Sequence, residues 1–426
     1  MAGDIAAPPL IQSVGVQPGE RWRMRFFTVW SGQTLSLIGS ALTNFVLMWW
    51  ITQTTNSASA LALAGMMAML PQALLGPIGG VLADRLNRRL VMIVADTITA
   101  LCMVILIALF ANGAIQLWHI YALMFVRSSM QAFQSPAAAA STAMLVPTSW
   151  IGRVAGMNQA VHGLMTIAAA PLGALALAFL PIEDALMIDV ATALLGIVPL
   201  FFFHIPQVYS ARPASGSGAD SGIASLLADM RAGLRFVLDH PGILALFGLT
   251  GLVVLTILPA FSLTPLLVKQ HFQGGVNEVA FMEALAGIGI IAGGVLITLR
   301  PMFKRRIFTV LVSFAVSCGT VALTALAPGD MLLLATFWWF VSGVTYSTGN
   351  APMMALLQSN VPNHLQGRVI SLLNTVMGLA GPIGLAITAP LAEALGVRAL
   401  FIFAGALSAA ICMAALWLRP LREIEA

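Results

Sequence analysis

Charge is what this chain has least of. Only 8% of its 426 residues are Asp, Glu, Lys or Arg, against roughly 25% in a soluble domain. Such a chain cannot clothe a water-facing surface. Lysine is rarer still, with Lys269 and Lys304 the two in the sequence. Neither follows a glycine, so the phosphate loop Gly-x-x-x-x-Gly-Lys is absent and with it a site for ATP hydrolysis. The six histidines, at 119, 162, 204, 240, 271 and 364, are scattered. No pair has metal-ligand spacing, no His-Glu-x-x-His occurs, and no aspartate-rich cluster suits a prenyl diphosphate. A membrane enzyme is thus a remote alternative, and neither metal nor cofactor is expected. Nothing resembles the filter of a channel. Cys102, Cys318 and Cys412 all lie within apolar runs and read as small core residues, not as a disulfide framework.

What is present is hydrophobic: 59% of residues, with a mean hydropathy of +0.94. That much apolar surface requires a lipid bilayer. Twelve stretches are long enough to span one, at 26–51, 60–83, 90–111, 116–140, 155–178, 185–204, 242–268, 279–299, 307–327, 331–357, 368–392 and 397–418. The predicted fold class is an all-α integral membrane protein of twelve transmembrane helices in two pseudo-symmetric six-helix bundles. Residues 1–20 read as a mobile tail without a removable signal peptide. Residues 21–204 form the first half, 205–241 a linker, 242–419 the second half and 420–426 a short tail. The linker begins with the low-complexity run Arg212-Pro-Ala-Ser-Gly-Ser-Gly-Ala-Asp-Ser-Gly222. It continues with Ile223, Leu226, Leu227, Met230, Leu234 and Val237 at helical spacing, which predicts an amphipathic helix on the membrane surface.

Basic residues sit on alternate turns. Arg21, Arg23 and Arg25 precede the first span, and Arg85, Arg88 and Arg89 follow the second. Arg153 follows the fourth, Arg212, Arg231 and Arg235 the sixth, Arg300, Lys304, Arg305 and Arg306 the eighth, Arg368 the tenth, and Arg419 and Arg422 the twelfth. The other side receives Lys269 and Arg398. This bias places both termini in the cytoplasm of a multi-pass protein of the bacterial inner-membrane type. The cations lie at span ends and form no basic face, so nucleic acid is not an expected partner.

The chain also repeats itself. Gly79-Gly80-Val81-Leu82 returns as Gly293-Gly294-Val295-Leu296, and Val146-Pro147 with Gly152-Arg153-Val154 returns as Val361-Pro362 with Gly367-Arg368-Val369. Pro171-Leu-Gly173 is answered by Pro382-Ile-Gly384. Six spans per half make these parallel repeats. The turn after span two holds Gly80, Asp84, Arg85, Arg88 and Arg89, with Asn87 at a position usually held by Gly. In that pattern, and over nearly its full length, the chain resembles the major facilitator superfamily. Gly39-Ser40, Thr55-Asn56-Ser57-Ala58, Pro71, Ser135-Pro136 and Ile188-Asp189 resemble the drug–proton antiporter branch that includes macrolide and enterobactin exporters.

The resemblance implies alternating access, with Asp84 latching span two to span eleven on the cytoplasmic side. Asn87 is expected to tolerate a left-handed turn. In the second half Thr298 replaces the acid and Pro301 interrupts the turn, which predicts a weaker latch. Arg127 lies deep in span four, where a charge needs a cavity or a partner. With Gln131 one turn away it resembles the motif of proton-coupled exporters, and a fixed pair with Asp96 is the structural alternative. Glu283, Asp96 and Asp189 are the remaining intramembrane acids and hence candidates for proton coupling or substrate contact. Asp96 has the further option of pairing with Arg85 or Arg88, and Asp189 reads as more structural. Asn44, Asn158, His162, Trp339 and Asn374 are cavity candidates; each polar one alone is more often an interhelical hydrogen bond than a ligand contact. Trp49-Trp50 and Trp338-Trp339 suit stacking or an interface belt, and Met66, Met67 and Met69 an adaptable wall. The expected activity is proton-coupled export of a lipophilic or amphiphilic small molecule by a monomer in the bilayer. A lysophospholipid or lipid flippase, or an uptake symporter, is the alternative on the same fold.

Overall fold

In the computed structural model, residues 21–203, 221–299 and 305–425 are described. The expected tail at 1–20, residues 212–220 of the low-complexity run and Pro301 lie outside them, while the run's last two residues, Ser221 and Gly222, begin a helix. The described residues are helices joined by short turns, with no strand among them. In the first half run α1 (Trp22–Thr55), α2 (Ala58–Arg85), α3 (Arg88–Ala111), α4 (Leu117–Leu145), α5 (Ile151–Phe179) and α6 (Ile182–Phe202). Helix α7 (Ser221–Asp239) follows, and then α8 (Pro241–Ser262), α9 (Thr264–His271), α10 (Val276–Leu299), α11 (Arg306–Leu326), α12 (Leu332–Asn360), α13 (Asn363–Leu395) and α14 (Val397–Ala415).

Among the described residues, 10 helices are long and apolar enough to cross a membrane. Helices α4 and α12 are not among those ten, although each has 29 residues. Polar side chains lower their hydropathy: Arg127, Gln131 and Gln134 in α4, Thr345, Thr348 and Asn350 in α12. Both pack on two neighbours, α4 on α2 and α3, α12 on α10 and α11. Span seven was expected to run unbroken over 242–268. It is broken instead at Leu263, between Pro259 and Pro265, and its end becomes the separate helix α9. Proline lacks the N–H that would continue the ladder.

Small residues decide which helices touch. A side chain at Gly79 of α2 would collide with the Ala132 carbonyl of α4, and one at Gly293 of α10 with the Val344 carbonyl of α12. Likewise Gly173 of α5 abuts Phe45 of α1, while Gly384 of α13 abuts Leu255 of α8. The repeated glycines therefore make the same helix contacts in each half. Between the halves, α2 pairs with α13 and α5 with α10. The first pairing is antiparallel and regular: Ser57 meets Glu393, Gly65 meets Leu385, Met69 meets Gly381, and Ala73 meets Gly378.

Candidate functional site

Beyond Ala73 and Gly378 the two helices part, and a cavity of about 720 Å³ opens between the halves. Helix α2 lines it with Met69, Gln72, Gly76 and Gly80, and α4 with Gln131 and Ser135. From α13 come Gly367, Arg368, Ser371, Asn374 and Thr375. The glycines at 76, 80 and 367 have nothing within 4 Å of where a side chain would begin, so these backbones face open space. Helix α7 crosses the same end. Its Gly233 rests on Arg368, its Val237 is buried, and its Met230 lines the cavity. Thus the linker helix is more than a surface element: it forms part of the cavity wall. Leu234 and Leu238 on its other side stay exposed. Ile223, Leu226 and Leu227 have side chains outside the described residues.

The opposite end is held together. Ser57 Oγ donates to Glu393 Oε1 at 2.7 Å, and the Ser59 N–H donates to the same oxygen at 3.2 Å. Lys269 of α9 donates from Nζ to the Thr52 and Gln53 carbonyls at 3.0 Å each, at the C-terminal end of α1, where the helix dipole favours a cation. Gln270 donates to the Asn56 carbonyl at 3.2 Å. One end of the cavity is therefore bridged by polar contacts between halves, and the other is spread apart.

At the turn after α2, Asn87 has φ −64° and ψ 103°. The expected left-handed conformation is not adopted. Asn87 instead caps α3, its Oδ1 accepting from Leu90 N at 3.2 Å, a role in which asparagine is among the best residues. Arg88 Nε donates to the Ala83 carbonyl at 3.0 Å. Arg89 donates to the Leu200 carbonyl and, at 2.8 Å, to that of Phe201, tying the turn to the end of α6. Arg85 is exposed, and the Asp84 side chain lies outside the described residues.

Arg127 pairs with Asp189 of α6, not with Asp96, its Nη2 lying 3.2 Å from Oδ2. The contact is an ion pair and not a hydrogen bond, since Oδ2 has no hydrogen-bond partner. Ser40 of α1 donates to the other oxygen at 3.0 Å, and Arg127 Nη1 reaches Met103 Sδ at 3.2 Å. Arg127 thus points into the first half while Gln131, one turn on, bonds Ser135 at 2.8 Å beside the cavity. Asp96 accepts from Gln33 at 3.1 Å rather than from the turn arginines named as its options. Gln33 also donates to the Gly196 carbonyl at 3.1 Å and accepts from Gln134 at 2.6 Å. Four helices meet in that knot.

Of the cavity candidates, Asn374 lines the space between the halves and Trp339 lines a second chamber within the second half. Asn158 accepts from Trp30 Nε1 at 2.8 Å, an interhelical bond. Asn44 and His162 are exposed on α1 and α5 and line neither space. Glu283 is half-buried on α10, one turn from the place where Gly287 crosses Ile167 of α5. Reading the sequence missed Gln72, Gln33 and Gln134. For Gln72 a signal existed, since Gln72, Gly76 and Gly80 recur every four residues on one helix face.

A duplicated helical membrane protein with an aqueous-sized cavity between its halves, bridged at one end, has the architecture of a transporter. The family model described as Major Facilitator Superfamily matches residues 29–385, and the chain belongs to that superfamily. It is 27% identical over 404 residues to macrolide efflux protein A of Streptococcus pyogenes, covering 95% of this chain and 98% of that one. It is 24% identical to the multidrug efflux pump Tap of Mycolicibacterium fortuitum, over 91% and 94% of the two chains. Among solved structures, the nucleoside transporter NupG superposes with a TM-score of 0.67 at 12% identity, over 90% of this chain and 98% of that one. A bacterial homolog of the human lysosomal transporter Spinster, inward-facing and unoccupied, gives 0.65 at 15% identity, over 96% and 94%. The protein is a multi-pass membrane transporter, not an enzyme.

Proposed function

We propose that this transporter exports lipophilic or amphiphilic small molecules, of the drug, macrolide or siderophore kind, against proton entry. The single observation that carries this reading is the cavity between the halves, open where α2 and α13 part and bridged where α9 meets α1. The open end is assigned to the cytoplasm. Arg85, Arg88, Arg89, Arg153, Arg231, Arg235, Arg305, Arg306 and Arg368 belong to helix ends and turns of that side, while Lys269 and Arg398 belong to the other. Counting α4 and α12 as spans, for twelve in all, is what keeps these basic ends on one side. The efflux names of two full-length relatives support the direction and the kind of cargo. On this reading the chain works as a monomer, and the cavity faces a cytoplasmic substrate in this state.

The turn from Gly80 to Arg89 is the gate of the open side. Continuing the pairing of α2 with α13 by one turn sets Gly76 against Asn374 or Thr375, then Gly80 against Ser371, then Asp84 near Gly367. For proton coupling the leading carboxylate is Glu283. It has no polar partner among the described residues and lies beside the α5–α10 crossing, whose movement would change its access to water. Asp96, Asp189, Arg127 and Gln131 hold the first half in one arrangement around that exchange.

The test uses proteoliposomes. An inward-directed proton gradient should drive export of ethidium or erythromycin, and a protonophore should abolish it. Glu283→Gln should leave binding within about twofold and remove the dependence on the gradient. Absence of gradient-driven movement for every such probe would overturn the exporter reading, and unchanged coupling in the variant would move the proton to another carboxylate.

A further inference from the structure

Within the second half, α8, α10, α11, α12 and α13 enclose a second chamber of about 450 Å³. Its lining runs from Leu249 to Phe261 on α8 and from Trp339 to Met353 on α12, about 18 and 21 Å at a rise of 1.5 Å per residue. A long chamber with these walls is a slot that suits a lipophilic arm.

The walls are mostly apolar; Thr250 of α8 and Ser317 of α11 are polar, and the longest polar face belongs to α12. Trp339, Ser342, Tyr346, Asn350 and Met353 follow one another at helical spacing and all line the slot. Ser342 is engaged with Ser317, oxygen to oxygen at 3.1 Å. Trp339 is fully buried between Phe261 and Phe401, yet its Nε1–H has no hydrogen-bond partner. The Tyr346 hydroxyl and the Asn350 amide, on an exposed and a half-buried residue, also have no partner among the described residues, but water can reach them; the buried exception is Trp339. Buried donors are almost always satisfied, and an exception asks for a group that completes it. Met69 and Gly378 line both this slot and the cavity between the halves, so the two spaces adjoin.

We propose that the slot is a substrate subsite for the lipophilic arm of an amphiphile, an arm bearing a carbonyl, ester or ether oxygen that accepts the Trp339 Nε1–H bond. The polar head stays in the larger cavity, where Gln72, Gln131 and Asn374 offer hydrogen bonds. Tyr346 and Asn350 lie between the two ends, toward the head. This inference rests on the export reading and names the chemistry of its cargo.

A benzophenone carrying a quaternary ammonium head tests this, since its ketone is both the acceptor and the photoreactive group. Bound to the full chain in detergent without any gradient, and irradiated, it should label Phe261 or Ser342, the slot residues beside Trp339. Val254→Trp, which fills the slot from α8, should cut that labelling at least tenfold. Ile290→Phe, filling it from α10, should do the same and keeps the result readable if the first variant misfolds. Trp339→Phe should weaken binding about five- to tenfold, the share of one hydrogen bond. An analogue with CH2 in place of the ketone should compete that much less well against wild type, and as well as the ketone against Trp339→Phe. Labelling confined to lipid-facing residues such as Leu333 or Phe403, or undiminished by the filling variants, overturns the subsite. So does a Trp339→Phe protein that binds as wild type does. Slot labelling in a chain that moves nothing would sink the export reading instead.

Discussion

At the scale of single residues, the Arg127–Asp189 pair governs the first half. Asp189 has 2% of its side chain exposed and Arg127 14%. Removing one partner leaves a buried charge uncompensated, which costs about 3–5 kcal/mol. Arg127→Met alone should therefore melt far below wild type in detergent, and the double variant Arg127→Met with Asp189→Asn should recover most of the loss. If the recovered double variant still couples transport to pH, Arg127 serves structure alone; if coupling is gone, it takes part in the proton cycle as well. The sequence announced that Arg127 needed a partner, because a lone arginine in an apolar run is costly. It could not say which acid, since Asp96 and Asp189 lie on different helices and the choice depends on how α3 and α6 rotate about their axes. Asn87 was misjudged for a related reason. Its side chain suits both a left-handed turn and a helix cap, and only the direction in which α3 leaves the turn decides between them.

At the scale of helices, the glycine pairs were legible as a repeat, but their two duties were not. Gly79 meets the α4 backbone, whereas Gly76 and Gly80 face empty space. Gly79→Ala should force α2 from α4 and lower stability by about 2 kcal/mol or more, while Gly76→Ala should leave stability within about 0.5 kcal/mol. Thermal unfolding followed by tryptophan fluorescence would check both. Equal losses in the two would mean that the α2–α4 contact is looser than the geometry says. The all-helical class could be read from apolar length, because lipid requires every spanning backbone to satisfy itself; the count could not, since α4 and α12 fall short of an apolar span. The break at Leu263 could not, for proline is tolerated within many of these helices: Pro71 and Pro77 sit inside α2 without ending it. The polarity of α4 and α12 was likewise readable, yet which of their faces meet a cavity emerges only when neighbours are in place.

At the scale of the whole molecule, the pairing of α2 with α13 makes the gate a question of register. Cysteines at Ser57 and Glu393 should cross-link in the present arrangement, where those side chains already touch. Cysteines at Gly80 and Ser371 should cross-link only when the far end closes, which an outward-facing population would reveal as a gel shift and a loss of transport. Cross-linking of Gly80 with Asn374 in its place would mean that the helices slip by a turn as they close. The two-half plan was legible in the repeated motifs; the state was not, because one sequence encodes both states and differs between them in nothing.

The contacts made by α9 also bear on the scarcity of lysine. Lys269 Nζ is held by two main-chain carbonyls of the other half, and the sequence has one other lysine, Lys304, which the charge bias assigns to the cytoplasmic side. An amine bound in this way is a poor nucleophile, and it becomes a good one when the halves separate. A membrane-impermeant acylating reagent applied from outside therefore meets a single lysine side chain, and the rate at which it reacts is a clock for the opening of that end. The chain carries its own chemical reporter of alternating access, with no label to install.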